Sequence, residues 1–142
     1  MRFHHLGVAV RSLDKAVACY RDLFGYRVLS GPHDDPIQRV AVCFLGADLD
    51  PGFQVELVAP LGEDSPLGNL LKRNVGAYHA CYEVEDLGAA LDRLRAGGCR
   101  IVAEPVPAVA FTGRKIAWLY TPVYQLVELL ECQSRSSNST KP

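Results

Sequence analysis

The chain has 142 residues, 49% of them hydrophobic and 22% charged, with 15 Lys plus Arg against 16 Asp plus Glu. A chain of this size and composition folds as one globular domain that buries a core and can still hold a cleft, which excludes extended disorder for most of it. The net charge of -1 leaves no electrostatic footprint for nucleic acid or an anionic membrane surface.

In chain order, Phe3 to Val10 reads as a strand. Ser12 then caps a helix through LDKAVACYRDLFG, where Leu13, Ala16, Val17, Tyr20, Leu23 and Phe24 recur at helical spacing and Gly25 stops the run. Three strands follow, Tyr26 to Ser30, Arg39 to Leu45 and Gln54 to Val58, separated by the turn-rich GPHDDP and GADLDPG. Ser65-Pro66 opens a short connecting helix over about residues 65–74. A strand from Tyr78 to Val84, a helix capped by Asp86 with the stripe Leu87, Ala90, Leu91 and Leu94, and strands Arg100 to Ala103, Lys115 to Tyr120 and Gln125 to Leu130 complete the order. The closing SRSSNSTKP is polar and reads as a disordered tail over 133–142.

The second half repeats the first. His5 falls on His79, Val10 on Val84 and Leu13 on Leu87 at an offset of 74; Gly25-Tyr-Arg-Val falls on Gly98-Cys-Arg-Ile at 73, and Val55-Glu56-Leu57 on Val127-Glu128-Leu129 at 72. Each unit is therefore strand, helix and three strands, an α+β arrangement of two tandem βαβββ modules, about 3–60 and about 77–132, inside one domain of residues 1–132.

No apolar run approaches the roughly 20 residues of a bilayer span, and MRFHHLGVAV carries no basic-then-apolar leader. The five cysteines, Cys19, Cys43, Cys81, Cys99 and Cys132, form no C-x-x-C pair. Together these point to a cytoplasmic protein with buried free thiols.

Each module carries one histidine on its first strand and one glutamate on its last. A lone strand glutamate is most often a solvated outward residue, and a lone strand histidine a satisfied core or surface residue. Two of each at equivalent repeat positions change that weighing, because modules paired about a pseudo-twofold axis bring His5, Glu56, His79 and Glu128 to one point. His5 shares strand parity with the small Gly7 and Ala9, whereas His4 shares it with Leu6, Val8 and Val10. Two imidazoles and two carboxylates suit Co, Mn, Ni, Zn or ferrous iron and leave coordination positions for a substrate. Such an ion stabilises an enolate formed beside a carbonyl.

This constellation resembles the vicinal oxygen chelate superfamily, which includes glyoxalase I, extradiol dioxygenases, antibiotic-resistance proteins and the methylmalonyl-CoA epimerases. HHLGVAVRSLDKAVACYRDLFGYRV is similar to the epimerases' opening strand and helix, VELVAPLGEDSPLGNLLKR to their central signature, and YHACYEVEDLGAALDRLRAGGCRI, TGRKIAWLYTP and LVELLE continue the likeness over roughly residues 3–132. The resemblance implies a curved, mixed, open sheet around a metal site, a divalent ion on His5, Glu56, His79 and Glu128, an acyl-thioester substrate such as a CoA or carrier thioester, and a homodimer. It also implies a proton-transferring acid just before the strand near Val40. The best register there puts Pro36, Ile37 or Gln38 in that place, with Asp34 and Asp35 close by, so Asp35 and Glu128 are the candidate catalytic groups.

The sequence departs from the epimerase pattern at Tyr78, where a second histidine is usual, at Ala110-Phe111-Thr112-Gly113-Arg114, where a G-x-x-G loop is usual, and at Thr121-Pro122 in place of His-Pro. Tyr78, Phe111, Arg114 and Tyr120 are the candidate substrate-pocket residues. The expected function is a metal-dependent, epimerase-like isomerase acting on an acyl thioester or related carbonyl compound. The alternatives are a glyoxalase-like isomerase or lyase, tested with a hemithioacetal, and a non-catalytic antibiotic-type binder.

Overall fold

The computed structural model describes residues 1–133. Its elements run β1 (Arg2–Ala9), α1 (Leu13–Phe24), β2 (Arg27–Asp35), β3 (Val40–Ala47), β4 (Asp50–Pro60), α2 (Gly68–Lys72), β5 (Ala77–Val84), α3 (Leu87–Ala96), β6 (Arg100–Pro107), a 3-10 turn (Val109–Phe111), β7 (Lys115–Tyr120) and β8 (Leu126–Glu131). Both long helices start as their caps dictate: Ser12 Oγ accepts from Lys15 N–H and Asp86 Oδ1 from Ala89 N–H. Gly25 ends α1 with φ of 70°, a left-handed turn that glycine adopts without steric cost.

The strands form one mixed eight-stranded sheet in the order β2-β3-β4-β1-β5-β8-β7-β6. Within each half the first and last strands run parallel, β1 with β4 and β5 with β8, while β1 and β5 meet antiparallel at the centre. The two halves are thus related by a half-turn about the β1–β5 seam.

Strand alternation divides each strand between two faces. Leu45, Val55 and Leu57 face α1, and Val84, Leu119 and Leu129 face α3, making one helix-covered core per half. Glu56 and Val58 take the other face, where Val40, Val42, Phe44 and Leu67 pack. That face holds a cavity of about 1000 Å3.

Two irregularities at the seam position the site. Phe3 pairs with Tyr82 and His5 with Cys81, so His4 is an extra residue on β1; Gly7 pairs with His79 and Val8 with Ala77, so Tyr78 is the extra residue on β5. Each is a β-bulge, which interrupts alternation and re-aims a side chain.

The turn expected at GPHDDP is instead the end of β2. His33, Asp34 and Asp35 pair with Val42, Ala41 and Val40, and the register shift between Ser30 and His33 absorbs Gly31-Pro32. The connecting helix begins at Gly68 because Ser65 Oγ accepts from Leu67 N–H in a turn, and buried Leu67 enters the core before the helix starts. Among the described residues no helix is long and apolar enough to cross a membrane. Apart from Gln133, the tail expected over 133–142 lies outside the described residues.

Candidate metal centre

The bulges and the parallel pairs bring four buried side chains together. Glu56 on β4 stands opposite Gly7 of β1 and Phe44 of β3; Glu128 on β8 stands opposite Cys81 of β5 and Trp118 of β7. His5 Nε2 lies 2.9 Å from Glu56 Oε2 and 3.6 Å from Glu128 Oε2, while His79 Nε2 lies 3.3 and 3.2 Å from the same two atoms. The two Nε2 atoms are 3.2 Å apart. Donors about 2.1 Å from one ion sit about 3.0 Å apart across an octahedral edge and about 3.4 Å across a tetrahedral one, so these separations fit a single divalent cation.

Room for the imidazoles comes from the opposite half. A Cβ on Gly7 would overlap the His79 ring at Cε1, so only glycine is compatible with the ring where it stands. The space that sequence parity assigned to His5 thus serves His79, while His5 stands opposite Cys81. Phe44 and Trp118 wall the cluster symmetrically, edge-on to His5 at 5.2 Å and to His79 at 4.8 Å.

Electrostatics bind the four groups to one another. Burial opposes protonation of His5, but the Glu56 charge and hydrogen bonds to Cys81, Glu128 and Glu56 hold its pKa well above the ordinary value. Burial likewise opposes protonation of His79, which its contacts with Glu128 and Glu56 raise nonetheless. Burial would push Glu56 up, yet the His5 charge and contacts with both histidines bring it down to about 2, and Glu128 is lowered by the same neighbours. A buried pair of carboxylates needs such positive charge, from protonated histidine or from a bound cation. Among the described residues, none that lines the cavity is Lys or Arg.

The far sides of the two imidazoles differ. His5 Nδ1 lies 2.9 Å from His4 Nδ1. His79 Nδ1 is buried without a hydrogen-bond partner among the described residues. Tyr78, the bulged residue beside it, packs edge-on with ring centroids 4.5 Å apart. Ligation through Nε2 leaves Nδ1 as the protonated nitrogen, which has an acceptor within reach on His5 and none on His79.

Of the candidate pocket residues, Tyr78, Phe111 and Tyr120 line the cavity with the cluster. Arg114 does not. Its guanidinium donates to Glu83 Oε1 at 2.6 Å and to the Glu131 carbonyl at 2.7 Å, so the buried carboxylate of Glu83 holds it there, over the Phe111 ring at 5.9 Å from its centroid. Asp35 lines the cavity, buried, with Oδ1 accepting from Ile37 and Gln38 N–H and Oδ2 from Val109 N–H. It therefore ties the β2–β3 loop to the 3-10 turn that carries Phe111. Gln38, also on the cavity wall, accepts from Trp118 Nε1 at 3.3 Å. Phe44 and Trp118 escaped sequence reasoning, although they stand at the same 74-residue spacing as His5 and His79.

Comparison with known proteins fits this geometry. The chain is 38% identical over 132 residues to the ethylmalonyl-CoA/methylmalonyl-CoA epimerase of Cereibacter sphaeroides, covering 90% of this chain and 96% of that one. The crystal structure of methylmalonyl-CoA epimerase from Mycobacterium tuberculosis superposes with a TM-score of 0.81 at 28% identity, over 94% of this chain and 89% of the other. A variant of the Streptomyces coelicolor methylmalonyl-CoA epimerase in complex with 2-nitronate-propionyl-CoA does so with a TM-score of 0.79 at 26% identity, over 94% and 99%. Residues 4–118 match the family model of the Glyoxalase/Bleomycin resistance protein/Dioxygenase superfamily. With the eight-stranded sheet folded around a paired His/Glu cluster, the chain belongs to that superfamily.

Proposed function

We propose that the chain is a metal-dependent epimerase of 2-substituted malonyl thioesters, methylmalonyl-CoA and ethylmalonyl-CoA among them, inverting the α-carbon by removing and returning its proton. The observation that carries this reading is an intact His/Glu cluster with one further carboxylate, Asp35, on the same cavity wall. Its support is the near full-length likeness to a protein named as an epimerase of these thioesters.

An ion held by His5, Glu56, His79 and Glu128 would supply Lewis-acid stabilisation of negative charge developing on a substrate carbonyl oxygen. The remaining work falls to side chains. A carboxylate has about four lone-pair sites, and Asp35 commits one of Oδ2's to Val109 N–H, so Oδ2 keeps one to take the α-proton. Inversion needs a second proton carrier on the opposite face. Glu128 meets both histidines through Oε2, leaving Oε1 for that role. Val42, Val58, Phe111 and Ile116 form an apolar wall that keeps water from the reacting carbon.

The test is incorporation of solvent deuterium at the α-carbon of methylmalonyl-CoA and ethylmalonyl-CoA by the metal-loaded protein, read by mass spectrometry. Wild type is expected to exchange the proton, and Asp35→Asn to slow exchange by about 10²–10⁴-fold with metal content unchanged. No exchange with either thioester overturns the reading, and turnover of a hemithioacetal instead would assign a glyoxalase-like reaction.

A further inference from the structure

The two seam bulges sit at equivalent positions and present different residues to their histidines, His4 to His5 and Tyr78 to His79. We propose that His4 is a positioning residue for metal binding: its Nδ1 accepts the Nδ1–H of His5 and thereby commits His5 Nε2 to the ion. The inference rests on the metal centre described above and is independent of the substrate.

His5 Nε2 faces Glu56, His79 and Glu128, so a neutral His5 that ligates there carries its proton on Nδ1. A buried N–H needs an acceptor, and His4 Nδ1 stands 2.9 Å away with the rings nearly perpendicular, 82° between their planes. Strict alternation would have sent His4 to the opposite face of β1; the bulge turns it toward His5. Phe44 and Phe111 hold the His4 ring edge-on, with centroids 6.3 and 5.6 Å away. Outer partners of this kind fix the tautomer and orientation of a ligating imidazole, and their loss typically weakens metal binding. His79, whose Nδ1 has no partner, lacks that support. Cys81 is the other polar group beside His4 and His5, and it is the competing candidate for the role.

The experiment titrates Zn(II) into the full chain in competition with a chromophoric chelator. His4→Phe, which fills the space without an acceptor, is expected to weaken Zn(II) binding about 10–100-fold, and His4→Asn, whose amide oxygen stands near the place of Nδ1, to stay within about threefold of wild type. Full affinity in His4→Phe overturns the proposal, as does a loss in Cys81→Ala equal to that in His4→Phe. Imidazole ¹⁵N spectra of the Zn(II)-loaded wild type give a readout free of any folding defect: the proposal requires a protonated Nδ1 on His5 and a protonated Nε2 on His4, and the reverse assignment sinks it. A wild type that binds no Zn(II) overturns the metal centre and this inference with it, whereas absent α-proton exchange with Zn(II) bound overturns only the proposed reaction.

Discussion

Helix α3 buries Leu87, Ala90 and Leu91 against its half of the sheet, whereas α1, capped in the same way, fully buries none of the equivalent Leu13, Ala16 and Val17. Leu23 and Phe24 at the end of α1 are largely exposed as well. Yet both halves deliver a histidine and a glutamate to the same point with matching aromatic walls. The difference teaches that the site depends on strand register at the seam, which is held in common, and tolerates divergence in how each helix packs.

The strongest way to break the equivalence is Gly7→Ala. It places a methyl group of the first half where the imidazole of the second must stand, and the expected outcome is loss of stoichiometric metal binding with about 1–3 kcal/mol of destabilisation. Metal content after dialysis and a thermal melt check this. An alanine variant with wild-type affinity would show that His79 can shift without cost.

A smaller effect sharpens the contrast between the helices. Leu91→Ala removes a fully packed side chain and is expected to cost about 2–5 kcal/mol. Val17→Ala, at the equivalent half-buried position, is expected to cost about 1 kcal/mol. Chemical denaturation of the two variants measures the difference, and equal losses would mean that α1 anchors its half as firmly as α3.

The mildest test uses pH on metal-free protein. Folded-state pKa values of His5 and His79 are raised, so their contribution to stability is full below the ordinary histidine value of 6.5 and is lost as pH rises through the raised values. Glu56, depressed to about 2, contributes above the ordinary carboxylate value of 4.5 and loses that contribution as pH falls through about 2. The metal-free Tm is expected to drop by about 5 °C on the alkaline side, and Zn(II) should suppress the drop. An alkaline Tm that does not move without metal would mean that the cluster is not protonated as its surroundings require.

Much of this was legible in the sequence. Repeat register alone selected His5, Glu56, His79 and Glu128, because a duplicated strand keeps its inward positions, and Ser12, Gly25 and Asp86 marked helix ends by local hydrogen bonding. What alternation could not foresee were the bulges. Period-2 reasoning puts His4 on the face opposite His5 because it assumes an unbroken ladder, and the partners that interrupt it, Cys81 and Tyr82, lie 77 and 78 residues beyond His4. The sequence puts Arg114 in the pocket with the rest of the Ala110-Phe111-Thr112-Gly113-Arg114 segment, but its direction is decided by Glu83, on a different strand. Asp35 reads in the sequence as a nearby carboxylate; its three backbone donors arise from a turn and a distant 3-10 segment that carry no periodic signal.

The antiparallel β1–β5 pair carries one further consequence. The halves are joined covalently only through residues 61–76, so the molecule behaves as two partners on a short tether, and the connector sets their effective concentration at about the millimolar level. Coordination across the seam then counts as association energy between partners: whatever binds His5 and Glu56 from one side and His79 and Glu128 from the other also fastens the two halves together.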